Sequence, residues 1–176
     1  MSGKLIIDGP RESDLQLHAE ELYRESRNDV YAYLITLGLA PPLAQDTAQE
    51  VFLRYYVTRQ RGETVENPRA WIFRVAHNLG LNVRARQSRV HPIDENVEKR
   101  LTDESADPER GAIDRQRRQR VEKAIGDLSG QQKQCLFLRA EGLRYREIAE
   151  AIGISSSSVS EFLKRAVTKL RKAANE

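Results

Sequence analysis

The sequence is poor in the residues that most chemistry and most covalent staples require. There is one cysteine, Cys135, so no disulfide framework and no cysteine-rich zinc site can be built. It stands among Leu136, Phe137 and Leu138, the setting of a buried and inert thiol rather than a nucleophile. The three histidines, His18, His77 and His91, are scattered without ligand spacing. No glycine-rich phosphate loop and no nucleophile–base pairing is visible, and these gaps argue against an enzyme and against a bound metal or cofactor. No basic segment followed by an apolar run opens the chain, and no apolar stretch reaches membrane-spanning length. A cytoplasmic protein without membrane insertion is the expectation.

What is present is charge, and it is segregated. Between Pro68 and Val90 stand Arg69, Arg74, Arg84, Arg86 and Arg89 with no acid. The stretch that follows is dominated by Asp94, Glu95, Glu98, Asp103, Glu104, Asp107 and Glu109, and the last helix is basic again. The net charge of +3 hides this alternation, which points to nucleic acid more than the total does.

Helical periodicity runs through the chain, and no convincing strand appears. Residues 1–12 read as a loose tail. Ser13-Asp14-Leu15-Gln16 has capping-box spacing and opens a helix that Gly38 stops. Pro41-Pro42 starts a second helix, with Thr47, Ala48, Val51, Phe52 and Tyr55 on its apolar side and Asp46, Gln49 and Glu50 on the other. After a polar loop over Thr58–Glu66, Asn67-Pro68 caps and opens a third helix to about Gln87. On it Arg74, Asn78, Asn82 and Arg86 recur every four residues, away from Ile72, Phe73 and Ala76. Amides between arginines suit a face that pairs with base edges and phosphates. Trp71, the only tryptophan, is either core or a platform for an unpaired base.

Residues 90–112 are too polar to bury a core and read as a flexible acidic linker. A charged helix follows, then a capped helix from Ser129-Gly130-Gln131-Gln132 to Gly142. The segment from Leu143 to Arg171 is a helix-turn-helix: Ile148, Ala149 and Ile152 form one apolar face, Gly153 the turn, a serine run the next cap. In the second helix Val159, Phe162, Leu163, Ala166 and Leu170 are core, while Ser157, Ser160, Glu161 and Lys164 face outward, where a major groove would lie. The reading is an all-α protein with two small helical domains, residues 13–89 and 113–176, joined by the acidic linker.

Taken together, these blocks resemble an extracytoplasmic-function (group four) sigma factor of bacterial RNA polymerase. The match is carried by Asp46 with Gln49-Glu50-Val51-Phe52-Leu53-Arg54, by Pro68 through Leu79, and by Glu141-Gly142-Leu143, Glu147-Ile148-Ala149, Ile152-Gly153-Ile154-Ser155 and Arg165-Ala166. The resemblance implies a promoter-recognition subunit. Its implied partners are core polymerase (the beta-prime clamp helices and the beta flap), promoter DNA and an anti-sigma protein. Asp46, Gln49, Glu50 and Arg54 would meet the clamp helices. Arg69, Trp71, Arg74, Asn78, Asn82, Arg84 and Arg86 would serve the minus-ten element, with the preceding loop forming a pocket for an unstacked base. Arg144, Ser157, Ser158, Ser160, Glu161, Lys164 and Arg165 would serve the minus-thirty-five element. Two departures mark this chain. Ser160, Glu161 and Phe162 stand where the family often has Lys, Ser, Arg, and Asn82 stands where Asp is frequent. The competing reading is a helix-turn-helix regulator with a helical sensing or dimerisation domain.

Overall fold

The computed structural model describes residues 12–90 and 111–175, and within them every regular element is a helix. α1 (Glu12–Thr36), α2 (Pro41–Gln60) and α3 (Pro68–Val90) make a first unit. α4 (Gly111–Gly126), α5 (Gly130–Ala140), α6 (Tyr145–Ile152) and α7 (Ser156–Asn175) make a second. Residues 1–11 of the expected tail and the acidic stretch 91–110 lie outside the described residues.

Local chemistry sets most boundaries. Gly38 ends α1 at φ +89°, a left-handed conformation open to glycine at little cost. Pro41 and Pro42 fill the first positions of α2, where a missing N–H is harmless. The Asn67 side chain accepts from the Ala70 N–H at 3.1 Å and so caps α3. Ser129 and Gln132 form a complete capping box on α5. Three expectations need adjusting. The chain is already helical at Glu12, so Ser13 lies in the first turn of α1 rather than before it. α2 persists to Gln60, which shortens the polar loop, and α3 persists to Val90. Polar, helix-compatible residues continue both helices past the point where their apolar faces give out.

The first unit is held by large side chains. Tyr33, Tyr55, Phe73, Leu34, Leu37, Leu39 and Ile72 are fully enclosed. Gly80 lets α3 close on α1: a Cβ there would stand 2.7 Å from a Leu37 methyl and 2.9 Å from a Leu34 methyl. The Tyr33 hydroxyl and His77 Nδ1 share a buried hydrogen bond of 3.0 Å. Burial pushes the His77 pKa below its ordinary value and the Tyr33 pKa above, so both rings stay neutral and structural.

The two units do not stand apart. α6 packs on α3, α5 touches α1, and one continuous buried cluster runs through both units. At their junction Phe137 of α5 meets Tyr33 at 5.4 Å and Phe73 at 6.3 Å between ring centres.

Candidate nucleic-acid interface

α3 has a complete inner face of Ile72, Phe73, Ala76, His77 and Gly80. The stripe opposite, Arg74, Asn78, Asn82 and Arg86, is exposed throughout. An α-helix turns 100° per residue, so a four-residue repeat keeps these side chains in one row. The other residues expected on this face stand elsewhere. Arg84 is exposed beside the α1–α2 turn, its guanidinium within 3.8 Å of the position a Gly38 Cβ would take. Trp71 is half-buried and meets Tyr55 edge-on at 5.6 Å.

Arg69 is engaged in full. Its Nη2 donates to Asp29 at 2.9 Å and to the Glu141 carboxylate, its Nη1 to Ser26 Oγ at 3.0 Å, and its Nε to the Glu141 carbonyl at 3.1 Å. Burial alone would lower the guanidinium pKa, but the bonds and charges of Asp29 and Glu141 reverse that and raise it. One cation between two carboxylates leaves a local excess of negative charge.

On α7 the serine run divides by function. Ser155 Oγ accepts from the Ser158 N–H at 3.1 Å and caps the helix, and it also bonds the hydroxyls of Ser157 and Ser158 at 2.9 and 2.8 Å. Ser160, Glu161, Lys164 and Arg165 remain on the exposed face, opposite the buried Val159, Leu163 and Ala166. Glu161 and Arg165, one turn apart, form an exposed ion pair. Such a pair adds little stability, but it restrains the one carboxylate of α7. Arg144 stands just before α6; its N–H donates to Glu147 at 2.7 Å while its side chain is exposed. That backbone bond is the first cause of a lowered Glu147 pKa.

A third surface lies on α2. Asp46 and Gln49 are exposed, Glu50 and Arg54 pair at 2.7 Å, and Leu53 is 57% exposed among them. The resemblance includes Leu53 in its motif without giving it a contact role, although its spacing from Gln49 and Glu50 puts it on this face. A shallow groove lined by Ala19, Tyr23, Arg27, Phe52 and Tyr56 runs between α1 and α2. Also unforeseen were Ser26, Asp29 and Glu141 around Arg69, because these contacts join residues 40 to 72 positions apart.

No group of His, Cys, Asp and Glu among the described residues could hold a metal ion, and no helix is long and apolar enough to cross a membrane. Cys135 is buried, and burial pushes its thiol pKa up to about 11, which suppresses the nucleophilic thiolate.

Residues 22–90 match the family model described as sigma-70 region 2, and residues 118–170 that described as sigma-70, region 4. The chain is 28% identical over 157 residues to the RNA polymerase sigma factor YlaC of Bacillus subtilis, covering 87% of this chain and 90% of YlaC. It is 26% identical over 125 residues to the ferric citrate uptake sigma factor FecI of Escherichia coli, covering 70% and 72%. Among solved structures it shares the fold of Bartonella quintana RpoE, determined with the anti-sigma factor NepR. The TM-score is 0.61 at 20% identity, covering 89% of this chain and 96% of that one. It also shares the fold of CnrH, determined with the cytosolic domain of CnrY, at a TM-score of 0.56 and 19% identity, covering 93% and 92%.

Proposed function

The chain belongs to the sigma-70 family as an extracytoplasmic-function sigma factor serving RNA polymerase in transcription initiation, and from this premise we propose that its two units divide promoter recognition between them. In this reading residues 13–89 carry polymerase docking and minus-ten recognition, and residues 113–176 carry minus-thirty-five recognition. The stretch 90–112 joins them; a chain of about twenty residues can bridge tens of ångströms. The protein acts as a non-catalytic subunit in the cytoplasm.

The observation that carries this reading is the exposed Arg74–Asn78–Asn82–Arg86 row on α3. Amides one turn apart can pair with base edges while the flanking guanidinium groups take phosphate. Opening the duplex costs a few kcal/mol per unstacked base, so a row that captures exposed bases lowers the cost of melting. On α7, Ser160, Glu161 and Lys164 face the major groove of the minus-thirty-five element, with Arg165 and Arg144 toward the backbone. On α2, Asp46, Gln49, Glu50 and Arg54 meet the beta-prime clamp helices around Leu53, an apolar centre with a polar rim. The second unit also meets the beta flap. An anti-sigma protein is a further partner, by analogy with the complexes in which RpoE and CnrH were determined.

Reconstitution with core polymerase tests this. The chain should co-elute with core and direct run-off transcription from genomic fragments. Asn78→Ala should retain core binding while lowering permanganate reactivity of promoter thymines by about tenfold, the loss of one good base contact. A chain that ignores core polymerase and binds operator duplex as a dimer would be a regulator instead.

A further inference from the structure

We propose that the first half of α4 binds single-stranded RNA through its arginines, at a site separate from the faces assigned to promoter DNA. That this RNA is the transcript made by the polymerase rests on the sigma-factor reading; the binding itself does not.

Residues Arg115 to Gln119 are exposed without exception. A run of that length exceeds one helical turn, so no side of α4 is covered there, although farther along the helix packs on α7 and buries Ala124. A helix polar on all sides is held together by ion pairs one turn apart or by something outside it. Here the pairs are missing. Arg115, Arg117, Arg118 and Arg120 pair with none of the described carboxylates, and the Arg120 Nε is enclosed without a hydrogen-bond partner. Arginines elsewhere behave differently: Arg54, Arg69, Arg146 and Arg165 each hold a glutamate. The α4 row is cationic charge without such compensation.

The composition of the row selects its ligand. Residues 115–120 are arginine and glutamine alone, with no acid and no apolar side chain. A protein partner would need an apolar centre, which is missing. A phosphodiester chain needs only cations, and arginine meets it with a planar, forked donor. At about 100° per residue the arginines point to different sides of the helix. A DNA duplex is stiff over about 150 base pairs and would lie against one side, whereas a single strand can bend around and reach several. Guanidinium planes stack on unpaired bases, and the Gln116 and Gln119 amides can bond base edges or the ribose 2′-hydroxyl. The row is also remote from the reading face of α7. The Asp127 carbonyl, just past the end of α4, accepts at 2.8 Å from Lys169, about two turns of α7 beyond Glu161.

Fluorescence anisotropy of the full chain on a labelled, mixed-sequence RNA strand, followed against salt concentration, tests the site. Arg115→Gln, Arg117→Gln and Arg118→Gln together should lower the slope of log affinity against log salt by about 2, three contacts at about 0.7 each on a single strand. Glutamine keeps helix propensity and these positions are unpacked, so circular dichroism should be unaltered. Arg→Lys at the same three positions should restore the slope, because charge is kept, yet weaken binding at fixed salt, because the stacking plane is lost. Lys164→Ala with Arg165→Ala, on the reading face of α7, should leave the RNA slope as it was. An unchanged slope in the glutamine variant overturns the site. So does a fall just as large in Lys164→Ala with Arg165→Ala, which would make the effect one of overall charge. A glutamine variant whose slope falls as far or further on a mixed-sequence DNA duplex overturns the assignment to RNA. Co-elution of the unaltered chain with core polymerase reports separately on the sigma-factor reading, whatever the RNA shows.

Discussion

The two units reach the same end, a helix with one buried and one reading face, by different physical routes. The first relies on length and bulk. Its helices run 25, 20 and 23 residues, and its enclosed side chains include two tyrosines and a phenylalanine. The second relies on punctuation. α6 has only 8 residues, set off by Gly142 at φ +85° before it and Gly153 at φ +73° after it, and α5 and α7 begin on serine caps. Short helices are marginal alone, so turn and cap residues must specify where they start and stop. Long helices depend less on such signals, which Gly38, Pro41 and Asn67 nevertheless supply, because burial along their length also fixes them.

That contrast sets a graded series of substitutions, followed by thermal and urea unfolding of the full chain. Phe73→Ala should be the most damaging, at about 3–5 kcal/mol, since it empties an enclosed site in the first unit. Gly80→Val should cost about 1–3 kcal/mol through overpacking against Leu34 and Leu37. Gly126→Ala, with nothing within 4 Å of its added Cβ, should by contrast be neutral or mildly stabilising. Ser129→Ala should cost about 1 kcal/mol, and hydrogen exchange should place the loss in α5. An equal cost for Ser129→Ala and Phe73→Ala would erase the distinction between the units. A further effect is acid-dependent. The folded Glu147 pKa lies below its ordinary value, so the unfolded chain binds more protons and the contribution exists above the ordinary carboxylate range. It fades as pH falls through the folded value, so wild type and Glu147→Gln should converge in acid.

How far the sequence was legible follows the same divide. The helix-turn-helix, the α5 cap and the α3 cap are local, and spacing alone located them. The α3 row was visible because a four-residue repeat needs no tertiary knowledge. The misplaced start of α1 shows the limit: Ser13 and Gln16 have capping-box spacing, but local pattern does not say that helix has already begun at Glu12. The resemblance places Arg69 with the DNA-facing arginines, and its charge agrees. Its carboxylates come from residues 40 and 72 positions away, a pairing no periodicity encodes. Leu53 falls between the two kinds of signal: its spacing puts it on a polar face, but its apolar character argues for the core, and the packed helices leave it exposed.

The grip of Glu141 on Arg69 is made twice, once by the side chain and once by the peptide carbonyl. Only the first can be edited. Trimming Glu141 therefore strips away half a handshake, whereas trimming Arg69 ends it from both directions. A survey that scored each partner of this junction by its own alanine variant would rank the glutamate as minor and misjudge the joint it belongs to.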